Sequence, residues 1–353
     1  MAGSPHGPVG AASADKPLLA VLRGERRDPP PTWLMRQAGR YLPEYRQLRA
    51  QKGSFLDLVY DSDAAAEVTL QPLARFDFDA AILFSDILIV PFAIGQHLTF
   101  VAGEGPRLTP ELLRADLDAL TPMLTRLEPV YETVRKVKAK LPASKTLIGF
   151  SGAPWTVATY MIAGQGSRDQ SESRRLAYAD PERFSDILQR IEKVTFDYLS
   201  GQIEAGADAV QLFDSWAGSL APAEFERWVV APTARLVERI RDEHPDVPII
   251  GFPKGAGGKI AAYVRETGVD CVGLDETVDP AWAARELPDS FPVQGNLDPL
   301  ALVAGGETLD SAVRNILDAF ADRPHIFNLG HGILPDTPIE NVQRLVALVK
   351  GNG

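Results

Sequence analysis

Arg36-Gln37-Ala38-Gly39-Arg40 sets two guanidinium forks four residues apart, with small residues between them. Arg forks grip carboxylates through paired hydrogen bonds, and small residues let a ligand approach the backbone, so this segment is suited to an anionic ligand. From Arg36 to Lys52 stand five basic residues, Arg36, Arg40, Arg46, Arg49 and Lys52, against the single acid Glu44. In a chain whose 36 Lys and Arg and 47 Asp and Glu leave a net charge of −11, that is a local reversal of sign. The plainer alternative is a solvated basic helix face.

A second candidate is Asp86 in FDFDAAILFSDILIVP, at the end of an apolar run where water is scarce. It is expected either to cap a helix or to serve as a buried carboxylate that gathers N–H donors and opposes a developing positive charge. Tyr160 in GFSGAPWTVATYM and Ser215 in LFDSWAGSL suit packing or turn positions as well as ligand contact. His331, between two glycines in FNLGHGILPDTP, reads as an exposed imidazole on a loop, available as a hydrogen-bond partner.

Other patterns carry little. Gly251 to Lys259 (GFPKGAGGK) has Pro253 where a phosphate-binding loop needs Gly, and Ile260 where it needs Ser or Thr. Gly164 and Gly166 are a lone GxG. The five histidines form no HExxH and no Cys/His cluster, so no metal site is expected. A hydrolytic triad of Ser215, Asp86 and His331 lacks the GxSxG elbow around its serine.

The elements that must position these residues show in the hydrophobic pattern. With 45% hydrophobic and 24% charged residues, the 353-residue chain has globular composition. Its acidity disfavours nucleic acid and anionic membranes as partners. No segment reaches the roughly 18 apolar residues of a membrane helix. One cysteine, Cys271, permits no internal disulfide, and a cytoplasmic location is expected. Residues 1–17 read as a disordered tail, and 18–353 as one domain without an internal linker.

Eight short apolar runs recur: Thr32 to Met35, Ala80 to Phe84, Thr146 to Phe150, Ala209 to Phe213, Pro248 to Phe252, Cys271 to Asp275, Pro292 to Asn296 and Ile326 to Gly330. Amphipathic stretches separate most of them, such as Pro181 to Glu204 with Phe184, Ile187, Leu188, Ile191, Val194 and Tyr198 at helical spacing. Buried strands alternating with helices predict parallel pairing and an α/β fold, a single (β/α)8 barrel of the TIM type. Chemistry is then expected just past the strands' C-terminal ends. Arg36, Asp86, Ser215 and His331 follow the first, second, fourth and eighth runs.

The stretches MRQAGRYLPEYR, FDAAILFSDIL, GAPWT, FDSWAG, QGNLDP and NLGHG, in this order between about Leu18 and Lys350, resemble the uroporphyrinogen decarboxylase family of haem biosynthesis. The resemblance implies a (β/α)8 barrel, commonly a homodimer with facing clefts. It implies removal of CO2 from the four acetates of uroporphyrinogen III to give coproporphyrinogen III, with no cofactor and no metal. Matched by motif, the substrate contacts fall on Arg36, Gln37, Ala38, Gly39, Arg40, Asp86, Tyr160, Ser215 and His331, with Asp86 and Arg36 catalytic. Asp86 is expected to accept hydrogen bonds from the pyrrole N–H groups, and Arg36 to sit nearest the reacting acetate, either donating the ring proton itself or standing beside the water that does. Two other functions are weighed: a zinc-dependent, cobamide-type methyltransferase of the same barrel superfamily, for which a lone Cys supplies too few ligands, and a tetrapyrrole carrier without activity.

Overall fold

Seven of the eight apolar runs are strands of one parallel sheet in the computed structural model, which describes residues 15–101 and 105–351. They are β1 (Ala80–Ile82), β4 (Thr146–Gly152), β5 (Ala209–Asp214), β6 (Ile249–Pro253), β7 (Cys271–Gly273), β8 (Val293–Leu297) and β9 (His325–Leu329). The sheet order is β1-β4-β5-β6-β7-β8-β9, every neighbouring pair parallel, with Ile82 opposite Ile148, Val210 opposite Ile249 and Val293 opposite His325. Residues of β4, β6, β8 and β9 are buried on both faces, which is why these strands read as largely apolar runs; the polar residues Gln294, Asn296, His325 and Asn328 among them are buried with hydrogen-bond partners.

The first run departs from expectation. It forms no strand; Thr32 alone bridges in parallel to Phe327 of β9. On its other side the Thr32 carbonyl accepts the Asp79 N–H (2.8 Å), and the Thr32 N–H donates to Asp79 Oδ2 (2.8 Å). The two edges of the sheet are thus linked through one residue, because side chains take the hydrogen bonds a full strand would have made. Leu34 N–H donates to Gln37 Oε1 (3.0 Å) and Met35 N–H to Asn328 Oδ1 (2.9 Å).

Helices cover the sheet. The 24-residue helix Pro181–Glu204 starts where Asp180 accepts the Arg183 N–H and Pro181 takes a first-turn position that needs no N–H donor. Its predicted apolar face, Phe184 through Tyr198, is buried. The antiparallel hairpin of β2 (His97–Val101) and β3 (Gly105–Thr109) was not among the eight runs.

An Asp directly precedes β1, β5 and β7, and each accepts the N–H of a residue in the neighbouring segment. Asp79 takes Thr32, Asp208 takes Leu147 and Asp270 takes Ile249, all at 2.8 Å. Cations flank them: Lys350 at Asp79 (2.7 Å), Lys16 and Lys138 at Asp208 (2.7 and 2.6 Å), and Arg241 at Asp270 (3.1 Å). Part of the chain's acidity therefore fastens the N-terminal end of the sheet, the face of such folds associated with stability. Of the expected tail, residues 1–14 lie outside the described residues. Lys16 is anchored at Asp208, and Pro17 opens the helix Pro17–Leu22.

Candidate active site

Arg36 stands in a turn with φ +60°, a left-handed conformation that a residue with a Cβ adopts at a cost of about 1–2 kcal/mol. Its neighbours hold it there. Gln37 is fully buried, and besides accepting from Leu34 it donates to the Ala80 carbonyl (2.9 Å), so its amide braces the turn from inside. The motif thus forms a turn of two exposed arginines around the half-buried Ala38 and Gly39. A Cβ on Gly39 would come within 2.9 Å of the Arg36 carbonyl.

The basic stretch divides by role. Arg46 donates to the carbonyls of Arg40 (2.7 Å) and Tyr41 (3.1 Å), Arg49 to that of Lys52 (3.1 Å), and Lys52 pairs with Asp61 (2.5 Å). The guanidinium groups of Arg36 and Arg40 make no hydrogen bond or ion pair among the described residues.

Asp86 follows β1 where the chain turns into the helix Ile89–Ile94. Its Oδ1 accepts the Leu88 N–H (2.8 Å) in a turn ahead of the helix; the helix's own N-cap, Leu88, has no side-chain cap, so Asp86 is not the capping residue that was one of the two expectations. Surface area leaves the residue half-buried, yet the dense packing around the carboxyl pushes it up to about 6, against the pull of the Leu88 N–H and the Arg36 charge.

Tyr160, on the helix Pro154–Ala163, feels the charges of both Asp86 and Arg36, and burial raises its hydroxyl. Its ring lies 6.4 Å from that of Trp216. Ser215 comes just past β5, between two residues tied to Thr156: the Thr156 hydroxyl donates to Asp214 Oδ1 (2.5 Å) and accepts the Trp216 N–H (3.0 Å). Burial pushes Asp214 up to about 7, and its Oδ2 has no partner.

His331 sits in the loop after β9. The flanking Ile333 N–H donates to the Met35 carbonyl (2.9 Å), which ties this loop to the Arg36 turn. A Cβ on Gly332 would lie 2.3 Å from Arg36 Cδ, so the arginine side chain passes directly over that glycine. Desolvation first, then the Arg36 and Lys254 charges, push His331 down to about 4, so the ring is neutral at pH 7. The imidazole is not the exposed group expected from its two glycine neighbours: the residue is half-buried, and its Nδ1 is buried without a partner. Gly332→Ala is therefore expected to displace Arg36 and lower kcat/KM by about 10²-fold with the fold retained. Steady-state kinetics alongside circular dichroism check this; wild-type activity in a folded Gly332→Ala variant would show that the arginine's path over Gly332 is irrelevant.

Arg36, Asp86, Tyr160 and His331 are thus joined by charge and contact, with Ser215 on the same rim of strand ends. Asp86, Ser215 and His331 make no hydrogen bonds to one another. Lys259 of the glycine-rich segment donates to the Leu220 carbonyl (2.7 Å), the role of a loop brace. Residue types alone gave no cue to Asp214, Thr156, Lys254 or Glu276; the position of Lys254 just past β6 was the available signal.

A curled parallel sheet wrapped by helices, with cationic and carboxylate groups past its strand ends, places the chain in the class of TIM-barrel-like α/β folds, whose ligand sites lie at that end. Residues 13–351 match the family model described as uroporphyrinogen decarboxylase (URO-D). A relative named uroporphyrinogen decarboxylase from Rhizorhabdus wittichii is 70% identical over 336 residues, covering 95% of this chain and 98% of the relative. One of the same name from Rhodospirillum rubrum is 54% identical over 341 residues, covering 96% and 98%. Among solved structures, a methyltransferase from Methanosarcina mazei aligns with TM-score 0.79 at 19% identity, covering 95% of this chain and 97% of that one, a likeness of fold. The chain belongs to the uroporphyrinogen decarboxylase family, whose members are carboxy-lyases.

Among the described residues no three His, Cys, Asp or Glu side chains are grouped to hold a metal ion, and burial raises the Cys271 thiol. No helix among them is long and apolar enough to cross a membrane.

Proposed function

We propose that this chain decarboxylates the four acetate side chains of uroporphyrinogen III, giving coproporphyrinogen III, with Asp86 and Arg36 at the reacting ring. The observation that carries this reading is a desolvated carboxylate, Asp86, with one oxygen lacking a protein donor, close enough to Arg36 to feel its charge, while the Arg36 side chain passes over the loop of the neutral His331.

Loss of CO2 leaves an electron pair that needs a sink, and a pyrrole can be its own. A proton added to the ring carbon beside the acetate-bearing carbon makes a cation shared with the ring nitrogen. The C–C bond to CO2 then breaks, its electrons forming an exocyclic double bond. A second proton converts that methylene to methyl while the first is released, so each cycle consumes one proton and yields one CO2. Ionised Asp86 accepts the pyrrole N–H groups and stabilises the cation, and those donors also favour its charged form. Arg36 and Arg40 bind carboxylates; Tyr160, Ser215 and His331 make polar contacts to side-chain acetates and propionates. Ala38 and Gly39 admit the ligand to the backbone, and Gln37 supports it from beneath.

Incubation with the reduced substrate followed by product separation by carboxyl number tests the reading, with the oxidised porphyrin as control because a flat conjugated ring cannot dome around one carboxylate. Successive loss of up to four carboxyl groups is expected; binding without CO2 release would favour a carrier. We further assign the working unit to a cytoplasmic homodimer without nucleic-acid contacts, comprising one catalytic domain from residue 18 onward, to be checked by sedimentation and fractionation.

A further inference from the structure

Two residues that the reaction as described leaves out stand between the Ser215 and His331 loops. Lys254 follows β6, with its N–H on the Asp214 carbonyl (3.1 Å) and its carbonyl accepting the Gly218 N–H (2.9 Å), so its backbone is fastened on both sides of Ser215. Glu276 lies beyond β7 and crosses Gly330, the residue before His331, so closely that a Cβ there would come within 2.2 Å of the Glu276 nitrogen. Buried Asp275 joins the two loops: its Oδ2 accepts the Gly255 N–H (2.7 Å) and its Oδ1 the Thr277 N–H (3.0 Å) and hydroxyl (2.5 Å).

Lys254 Nζ is 3.7 Å from Glu276 Oε1, well beyond the roughly 2.7–2.9 Å of a strong ammonium–carboxylate hydrogen bond. The other oxygen, Oε2, is buried with no partner. Both side chains keep about a quarter of their exposure, 27% and 25%. The pair is held together by position and is poorly satisfied, so a ligand carboxylate can replace Glu276 at the ammonium at small cost. Demand for such a cation is high, since every pyrrole of the substrate carries an acetate and a propionate, while the neutral His331 supplies no charge.

We propose that Lys254 binds a non-reacting carboxylate of the tetrapyrrole, and that Glu276 is the internal carboxylate which occupies Lys254 until substrate displaces it. This rests on the substrate assigned above. Initial rates with uroporphyrinogen III test it. Lys254→Met is expected to raise KM about tenfold with kcat within about twofold of wild type, and Lys254→Arg to restore KM. Glu276→Gln, which removes the competing charge, is expected to lower KM by about threefold. An unchanged KM in Lys254→Met, or a fall in kcat without a rise in KM, overturns the proposal. Should Lys254→Met fail to fold, Glu276→Gln decides: a KM equal to or above that of wild type overturns it. A wild-type enzyme that releases no CO2 would instead overturn the substrate assignment.

Discussion

Asp86→Asn is expected to lower kcat by about 10³-fold while changing KM far less, because the charge it removes acts mainly on the cation formed during reaction. The same variant is expected to be more stable than wild type at neutral pH. Desolvation raises the folded-state carboxyl from its ordinary 3.8 to about 6, so the folded protein holds that proton more tightly than the unfolded chain does. The site's contribution to stability is therefore greatest below 3.8, declines as pH rises through about 6, and is level above that. At 1.36 kcal/mol per pH unit the difference approaches about 3 kcal/mol, an upper value because Asp86 keeps some contact with solvent. Urea titrations at pH 4 and pH 7.5 would find the two proteins similar in acid and Asn ahead at the higher pH. In wild type, kcat/KM is expected to fall about tenfold per pH unit below about 6 as the free enzyme's Asp86 takes up its proton. Full turnover by Asp86→Asn would refute its assignment to the reacting ring.

Arg36→Lys is expected to reduce kcat/KM by about 10²- to 10³-fold, since an ammonium cannot reproduce the planar fork that orients a carboxylate. The informative measurement is the shape of the pH profile and the solvent isotope effect. Arg36 is exposed, so solvent reaches its guanidinium, and a guanidinium is a donor of hydrogen bonds that does not give up its protons in proteins. A water-borne proton is thus the expected source, and both measurements should match wild type despite the lower rate. A changed isotope effect in Arg36→Lys would instead identify the guanidinium as the donor.

The fold was legible where burial dictates sequence. Strands covered on both faces are mostly apolar, with most polar residues hydrogen-bonded inside, and seven of the eight runs form strands of the sheet. The Thr32 run misled because apolar character reports burial and is silent on which group satisfies each N–H; here Asp79, Gln37 and Asn328 do so. The β2–β3 hairpin escaped for the converse reason, since alternating Leu98 and Phe100 face one side only and never form a run. In the proposed site, Arg36, Asp86 and His331 stood out in the sequence because they are charged or titratable residues placed just past the ends of apolar runs. Gln37 looked like a ligand contact by its place in the motif, but a buried amide with donor and acceptor both engaged is a support. Lys254 and Glu276 were hidden because an isolated Lys and Glu about twenty residues apart carry no local pattern; only the sheet's parallel register brings them together.

The two-sided linkage at Thr32 has a kinetic consequence. Where neighbouring strands share several ladder bonds, this junction has a single rung, and the turn bearing Arg36 begins four residues later. Brief opening there would release the guanidinium together with the sheet edge. Amide hydrogen exchange at Thr32 and Asp79 is therefore expected to report opening of the sheet edge that carries the Arg36 turn.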